Sequence, residues 1–333
     1  RLLAATSVIH AKGRPHRVGP SSLAAAGSVR SPLLSIRGMN SAPRHSTRLS
    51  MRLNASPIAR RAMRWANALG VPFAPFRVRV GRWTLHAPTV DRLAALLVMR
   101  RSIDHDPGIA IWRRLCRPGT CAIDVGANMG LYSLVAAEEV GPAGRVIAVE
   151  VDHRNADAAD RSFRLADARH VRLLRIAALD RDGEVELGTR DDHAGDHQVM
   201  ADDPARRRSM VPCRRLDSVI DRDLEVSAIK LDIQGAEGLA LAGLEATIAA
   251  NPRIAVLMEF WPAALRRCGT DPESLLRGWH ARGFAAAVVE TDSPRAVDLR
   301  RPGEVVAAAE SRSFCDLVLA RDPTTWRERA ARG

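Results

Sequence analysis

Beyond residue 120 the chain falls into short apolar runs separated by stretches whose apolar positions recur every three to four residues. The runs at 121–125, 145–150, 171–176, 228–232, 254–259, 285–289 and 314–320 read as strands. Helical patterns at 131–140, 154–166, 236–250 and 272–282 fill the gaps between them. Strands alternating with helices of this length build a parallel sheet with crossover helices, so the pattern predicts a doubly wound α/β domain of seven strands. Upstream, 77–86 alternates about Gly81 as a small hairpin does, and helical patterns lie at 52–69, 91–101 and 109–116. The expected organisation is a helix and hairpin cap over 51–117, the main domain over 118–322 and a tail over 323–333. The stretch 181–209 breaks the alternation: after a short E-V-E-L strand it runs polar through T-R-D-D-H-A-G-D-H-Q. A long polar loop inside a compact domain is commonly a functional one.

Composition changes this picture in one respect. The formal charge is +12, but residues 1–90 hold 15 Lys and Arg and no acid, leaving 35 basic against 38 acidic residues in the rest. The presumptive domain is therefore nearly neutral, and the basic character belongs to an N-terminal arm, not to a nucleic-acid groove. Residues 1–50 are expected to be a disordered basic segment, or sequence upstream of a later start at Met39 or Met51, and to take no part in the fold. Five scattered cysteines without a CxxC pair suit reduced thiols in the cytoplasm better than a disulfide framework or a zinc site. No apolar run reaches the roughly 20 residues of a membrane-spanning helix.

The chemistry concentrates at C-A-I-D-V-G-A-N-M-G-L, residues 121–131, where a strand, a tight glycine turn and a helix follow one another. Such a turn lies at the carboxyl end of a strand, where bare backbone and a helix N-terminus meet a ligand. A dinucleotide fingerprint wants G-x-G-x-x-G, whereas Asn128 stands here in place of the middle glycine. Glu150, ending the second strand, suits the ribose hydroxyls of either NAD or S-adenosylmethionine. Asp124 favours the second: a carboxylate in the turn repels a pyrophosphate but binds a cationic amino-acid end, directly or through water. A nicotinamide-dependent oxidoreductase stays open as the alternative, as does a nucleic-acid methyltransferase that uses the basic arm.

Six segments in order carry a resemblance: I-D-V-G-A-N-M-G-L-Y-S (123–133), V-I-A-V-E (146–150), A-A-L-D-R-D-G-E-V-E-L (177–187), V-P-C-R-R-L-D-S-V-I (211–220), I-K-L-D-I-Q-G-A-E (229–237) and V-L-M-E-F (256–260). Over these roughly 140 residues the chain resembles the FkbM-type S-adenosylmethionine-dependent methyltransferases. The resemblance implies a class I methyltransferase, Rossmann-like sheet whose last strand runs antiparallel, and methyl transfer, usually to oxygen. It also implies that Asp124, Gly126, Asn128 and Gly130 line the methionine part of S-adenosyl-L-methionine, that Glu150 holds the ribose, and that Asp180 lies near the adenine. A turn role for Asp180 in D-R-D-G is the other reading. The family often has Pro shortly after the Glu150 position, where this chain reads E-V-D-H, so the following loop is not carried over.

In I-K-L-D-I-Q-G-A-E, alternation puts Lys230 and Asp232 on one face of a strand, with Asp232 at its carboxyl end. Methyl transfer needs an acceptor oxygen held in line at about 3 Å and a base for its proton. Asp232 is the first candidate. Glu237, opening the next helix, can face the same cleft. Lys230 is one of only two lysines among 50 basic residues. It either tunes these carboxylates as a paired ammonium or loses its proton when buried. Glu259 is a buried-looking acid at a strand end and a candidate for shaping the acceptor site. His193 and His197 stand among Asp191, Asp192 and Asp196, but Gly195 argues against a helical metal site, so no metal is expected. The acceptor expected is a hydroxyl on a sugar or secondary metabolite, with no nucleic-acid partner.

Overall fold

A computed structural model describes residues 76–87, 106–189, 197–200, 203–204, 206–291 and 293–326. A hairpin comes first, β1 (Phe76–Val80) and β2 (Trp83–Ala87), followed by α1 (Pro107–Leu115). The core then begins with β3 (Cys121–Val125), α2 (Leu131–Val140), β4 (Arg145–Val149), α3 (His153–Leu165) and β5 (Val171–Leu174). Four strands depart from the main sheet: β6 (Ala177–Ala178), β7 (Gly183–Thr189), β8 (Gln198–Val199) and β9 (Arg207–Arg214). The chain returns through β10 (Val226–Leu231), α4 (Glu237–Ala242), α5 (Glu245–Ala250), β11 (Ala255–Phe260), α6 (Pro262–Arg267) and α7 (Pro272–Ala281). It ends in β12 (Ala285–Val288), β13 (Arg295–Val297), α8 (Pro302–Glu310) and β14 (Cys315–Ala320).

Local chemistry sets these boundaries. Asp106 caps α1 by accepting from the Ile109 amide, with Pro107 in the first turn, and Asp152 caps α3 by accepting from the Arg154 and Asn155 amides. Helix α2 ends at Gly141, which adopts a φ of 69°. The single helix expected over 236–250 is two. They part at Gly243–Leu244, where the Gly243 carbonyl accepts from the Asp217 amide at 2.9 Å and the Asp217 carboxylate accepts from the Ala246 and Thr247 amides of the second helix.

The main sheet has eight strands in the order β13-β12-β14-β11-β10-β3-β4-β5, not the seven expected. The additional member is β13, which folds back antiparallel on β12 and, at three mostly exposed residues, carries no apolar run of its own. Strand β14 runs antiparallel between β11 and β12, while the β11-β10-β3-β4-β5 pairings are parallel. The run at 171–176 is a strand only over Val171–Leu174, and Ala177–Ala178 just beyond it joins a second sheet of order β6-β9-β7-β8. All five residues of β3 are buried, as a central strand covered on both faces requires.

Apolar clusters cover both faces of the sheet. The hairpin belongs to one of them: Val80, Leu85 and Ala87 are buried, and the His86 amide donates to Ser162 Oγ on α3 at 2.9 Å. The expected helices at 52–69 and 91–101 lie outside the described residues, and so does the segment 1–50. From β3 the chain moves to β4 and β5 on one side and returns to β10 on the other. A crevice therefore opens at the carboxyl ends of β3 and β10, the switch point where such sheets bind ligands.

Gly126 and Gly119 separate two costs at that end of the sheet. Both have positive φ, but a Cβ on Gly126 would stand 2.1 Å from the Asp232 carbonyl oxygen, whereas nothing lies within 4 Å of one on Gly119. Gly126→Ala is expected to lower the unfolding free energy by roughly 3 kcal/mol or more, against about 1 kcal/mol for Gly119→Ala. Urea denaturation of the two variants measures the difference.

Candidate functional site

The turn that follows β3 is fastened to the end of β4. The Gly126 and Ala127 amides donate to the Val149 carbonyl at 2.9 and 3.0 Å, and the Asn128 amide donates to Glu150 Oε2 at 2.8 Å. Asn128 takes a φ of 51°, and its side-chain oxygen accepts from the Met129 amide at 2.7 Å. The other oxygen of Glu150 accepts from the Asp152 amide at 2.8 Å. Burial pushes the Glu150 carboxyl up to about 7, although both amides favour its charged form.

A cavity of about 300 Å³ opens beside this turn. Backbone of 126–129, Glu150 and Asn155 line one end, and Lys230, Asp232, Gln234 and Glu259 line the other together with Tyr132. Between them the wall is apolar, from Ile176 to Leu179, with Leu187 and Val199 of the second sheet closing over it. Of the sequence-predicted residues, Gly126, Asn128, Glu150, Lys230, Asp232 and Glu259 are brought to this one cavity.

Four expected residues stand elsewhere. Asp124 is fully buried beneath the turn, not on the cavity wall, because it sits within β3 and its side chain meets α2 and β10. It accepts from Ser133 Oγ at 2.7 Å and faces Lys230 Nζ at 3.8 Å. Burial raises its carboxyl above the ordinary value, against the pull of Lys230 and Ser133. Gly130 opens α2 with a φ of 92°, where any Cβ would meet the Phe163 ring at 2.5 Å, and it does not reach the cavity. Asp180 turns away after Leu179 pairs with the Arg214 carbonyl, and it makes a partly exposed ion pair with Arg181 at 3.2 Å. Glu237 turns back from the cleft: one carboxylate oxygen accepts from the Ile233 amide at 2.9 Å and the other from the Gly235 amide at 3.0 Å.

Lys230 is buried and strand-paired, its Cα opposite that of Asp124 in the β3–β10 register. Its ammonium lies 3.2 Å from Asp232 Oδ2 and 4.6 Å from the centroid of the Tyr132 ring. Burial alone would lower its pKa, but Asp232 and Asp124 outweigh that and hold it above the ordinary lysine value. Of the two roles open to it, this geometry fits the paired ammonium. Burial pushes Glu259 well above the usual carboxylate range, with Asp232, Glu237 and Asp316 adding to it. Asp316, opposite Glu259 in the β11–β14 register, is pushed up to about 7 by burial first and Asp232 second.

Tyr132, Gln234 and Asp316 were not anticipated. Tyr132 is the chain's only tyrosine and directly follows the glycine turn, a signal the sequence did offer. Asp316 needed the antiparallel register, and Gln234 needed its φ of 58° to be known. In the polar loop, His193 lies outside the described residues, whereas His197 lines the cavity with Nδ1 3.7 Å from Asp152 Oδ2. Among the described residues no group of His, Cys, Asp and Glu has the arrangement to hold a metal ion.

Residues 124–272, from the first buried acid through β11 and α6, match the family model of the methyltransferase FkbM domain. The chain carries a methyltransferase FkbM domain. Similar solved structures include a SAM dependent methyltransferase from Aquifex aeolicus, at 14% identity over 65% of this chain and 89% of that one, with a TM-score of 0.37. A SAM-dependent O-methyltransferase from Thermotoga maritima matches at 15% identity over 67% of this chain and 66% of that one, with a TM-score of 0.36. A precorrin-6y C5,15-methyltransferase from Geobacter metallireducens matches at 12% identity over 64% and 86%, also at 0.36. No curated protein matches the chain. Among the described residues no helix is long and apolar enough to cross a membrane.

The raised acids around the site make the protein's stability pH dependent. Asp316 has a folded pKa near 7 against an ordinary 3.8, so between these values the folded state holds the proton more firmly than the unfolded one. Its contribution is therefore fully present below the ordinary value and lost as pH rises through 7. Asp316→Asn removes that loss. Relative to wild type, the variant is expected to gain on the order of 1 kcal/mol of unfolding free energy between pH 5.5 and 8, measured by denaturation at both.

Proposed function

We propose that this protein is an S-adenosylmethionine-dependent O-methyltransferase acting on a hydroxyl of a sugar or secondary-metabolite acceptor. The observation that carries the reading is the acid-rich cavity wall: three carboxyl groups, Glu150, Asp232 and Glu259, against one ammonium, Lys230, which is already ion-paired. Such a wall offers hydrogen-bond acceptors to a cofactor carrying an ammonium and a sulfonium, and its ammonium is already engaged where a pyrophosphate would need it. This replaces the argument from Asp124, whose charge is buried and faces Lys230. The FkbM domain supports the same choice over a nicotinamide cofactor.

The residues present fit the group. Glu150 keeps both oxygens pinned by backbone amides while lining the cavity, so a lone pair on each stays available for ribose hydroxyls. Bare backbone at 126–129 accommodates the amino-acid end, and the apolar wall at 176–179 suits the adenine. S-adenosylmethionine, when bound, supplies a methyl group on a sulfonium whose bonding pair returns to sulfur as the acceptor oxygen takes the carbon. Asp232 receives the acceptor's hydroxyl proton as its O–C bond forms. It is the carboxylate with the freedom to do so, with its side chain 44% exposed and the Lys230 ammonium 3.2 Å away. Glu259 then shapes the acceptor end from the buried side.

Calorimetry tests the cofactor: S-adenosylhomocysteine is expected to bind and NAD not to, and Glu150→Gln to weaken binding about tenfold by losing one amide contact. Binding of NAD alone would overturn the reading. With a labelled methyl donor and a panel of polyols, Asp232→Ala is expected to lose at least about 100-fold in turnover with cofactor affinity unchanged. Full turnover by that variant would remove Asp232 from the mechanism.

A further inference from the structure

The turn after β10 is held from three directions, and all three fix one side chain. Gln234 occupies a left-handed conformation, φ 58°, which residues other than glycine rarely adopt. Glu237 accepts from the amides on either side of it, at Ile233 and Gly235. The Arg267 guanidinium donates to the Gln234 carbonyl at 2.9 Å. Gly235 packs so closely on α6 that a Cβ would stand 2.6 Å from the Ala264 carbonyl oxygen. What this arrangement delivers to the cavity is the Gln234 amide group, whose Nε2 donates to Asp232 Oδ1 at 3.3 Å and to Glu259 Oε2 at 2.9 Å.

We propose that Gln234 is a positioning residue that clasps Asp232 and Glu259 into a single carboxyl pair at the acceptor end of the cavity, and thereby sets the preference of that end for positive charge. The proposal rests on the methyl-transfer reading above. Two carboxyl groups this close do not ionise independently, and an amide with two hydrogens satisfies one oxygen of each without carrying charge. Lys230 completes the arrangement from the far side of Asp232 at 3.2 Å, while burial pushes the Glu259 carboxyl well above the usual range. Asp232 is then the partly exposed member, set against the ammonium, and Glu259 the one at the buried side.

The consequence is readable without an acceptor. Sinefungin carries an amine where the methyl donor has its sulfonium methyl, and S-adenosylhomocysteine carries neither charge there, so the ratio of their affinities reports the field of the pair. Calorimetry on the full chain is expected to give tighter binding of sinefungin. Gln234→Leu removes the donors. Gln234→Asn keeps an amide and tolerates the left-handed backbone but is one methylene too short to reach both carboxylates. Both variants are expected to lose about tenfold of the sinefungin preference at pH 7 and to regain it about one pH unit higher, with homocysteine-product affinity within twofold. A turn with a merely structural role would leave the Asn variant's ratio and pH profile at wild-type values, and that result would overturn the proposal even if the Leu variant failed to fold. Equal wild-type affinity for the two analogues would overturn it as well. Failure of wild type to bind either analogue would instead strike the methyl-transfer reading.

Discussion

The contact between the glycine turn and the end of β10 is the constraint on which the rest of the site depends. Gly126 passes so close to the Asp232 carbonyl that no side chain fits between them, and the Asp232 amide donates to the Val125 carbonyl at 3.1 Å. This locks the last residues of two neighbouring parallel strands together where the sheet's order reverses. Backbone for one half of the cavity and a carboxylate for the other are thus delivered by one rigid junction. Beneath it, Asp124 and Lys230 face each other across the same strand pair. A buried ion pair seldom adds net stability, but removing Lys230 would take from the buried Asp124 carboxyl the cation it faces.

A division of labour follows among the acids. Asp124 and Glu237 are structural in their contacts: one anchors the start of α2 through Ser133, and the other holds the turn at 233–235. Glu150 is anchored by backbone on both oxygens yet open to the cavity. Only Asp232 and Glu259 meet at the far end, joined by Gln234. Burial raises the pKa of most of these groups, and Lys230 supplies the positive charge that lets so many carboxyls share a small volume. The aliphatic and small residues between the two ends come from the break after β5, where 177–178 leaves the main sheet and the second sheet folds over the gap.

Much of this was legible because apolar periodicity and turn chemistry are local. The runs at 121–125 and the helix at 131–140 have the bounds the pattern gave, since a fully buried strand and a glycine-bounded helix are each specified by their own residues. Elements decided by neighbours were not legible. The division of 236–250 goes with the hydrogen bonds of Asp217, far away in sequence, to the Gly243 carbonyl and the Ala246 and Thr247 amides, and β13 pairs on the edge that β12 offers. The same distinction explains the site. Glu150 could be placed from its position at a strand end, whereas Asp124 looked like a ligand-facing acid until its partners across the sheet were known.

The sequence by itself determined the order of strands and helices, the glycine turn and the carboxylates that follow strand ends, because each is written in contiguous residues. Tertiary structure decided which of those carboxylates face the cavity. Side-chain direction at the end of a buried strand depends on what the adjacent strand and the returning helix place against it. Lys230 opposite Asp124, Glu237 folded back on its own turn, and Gln234 held between Asp232 and Glu259 are all products of that packing.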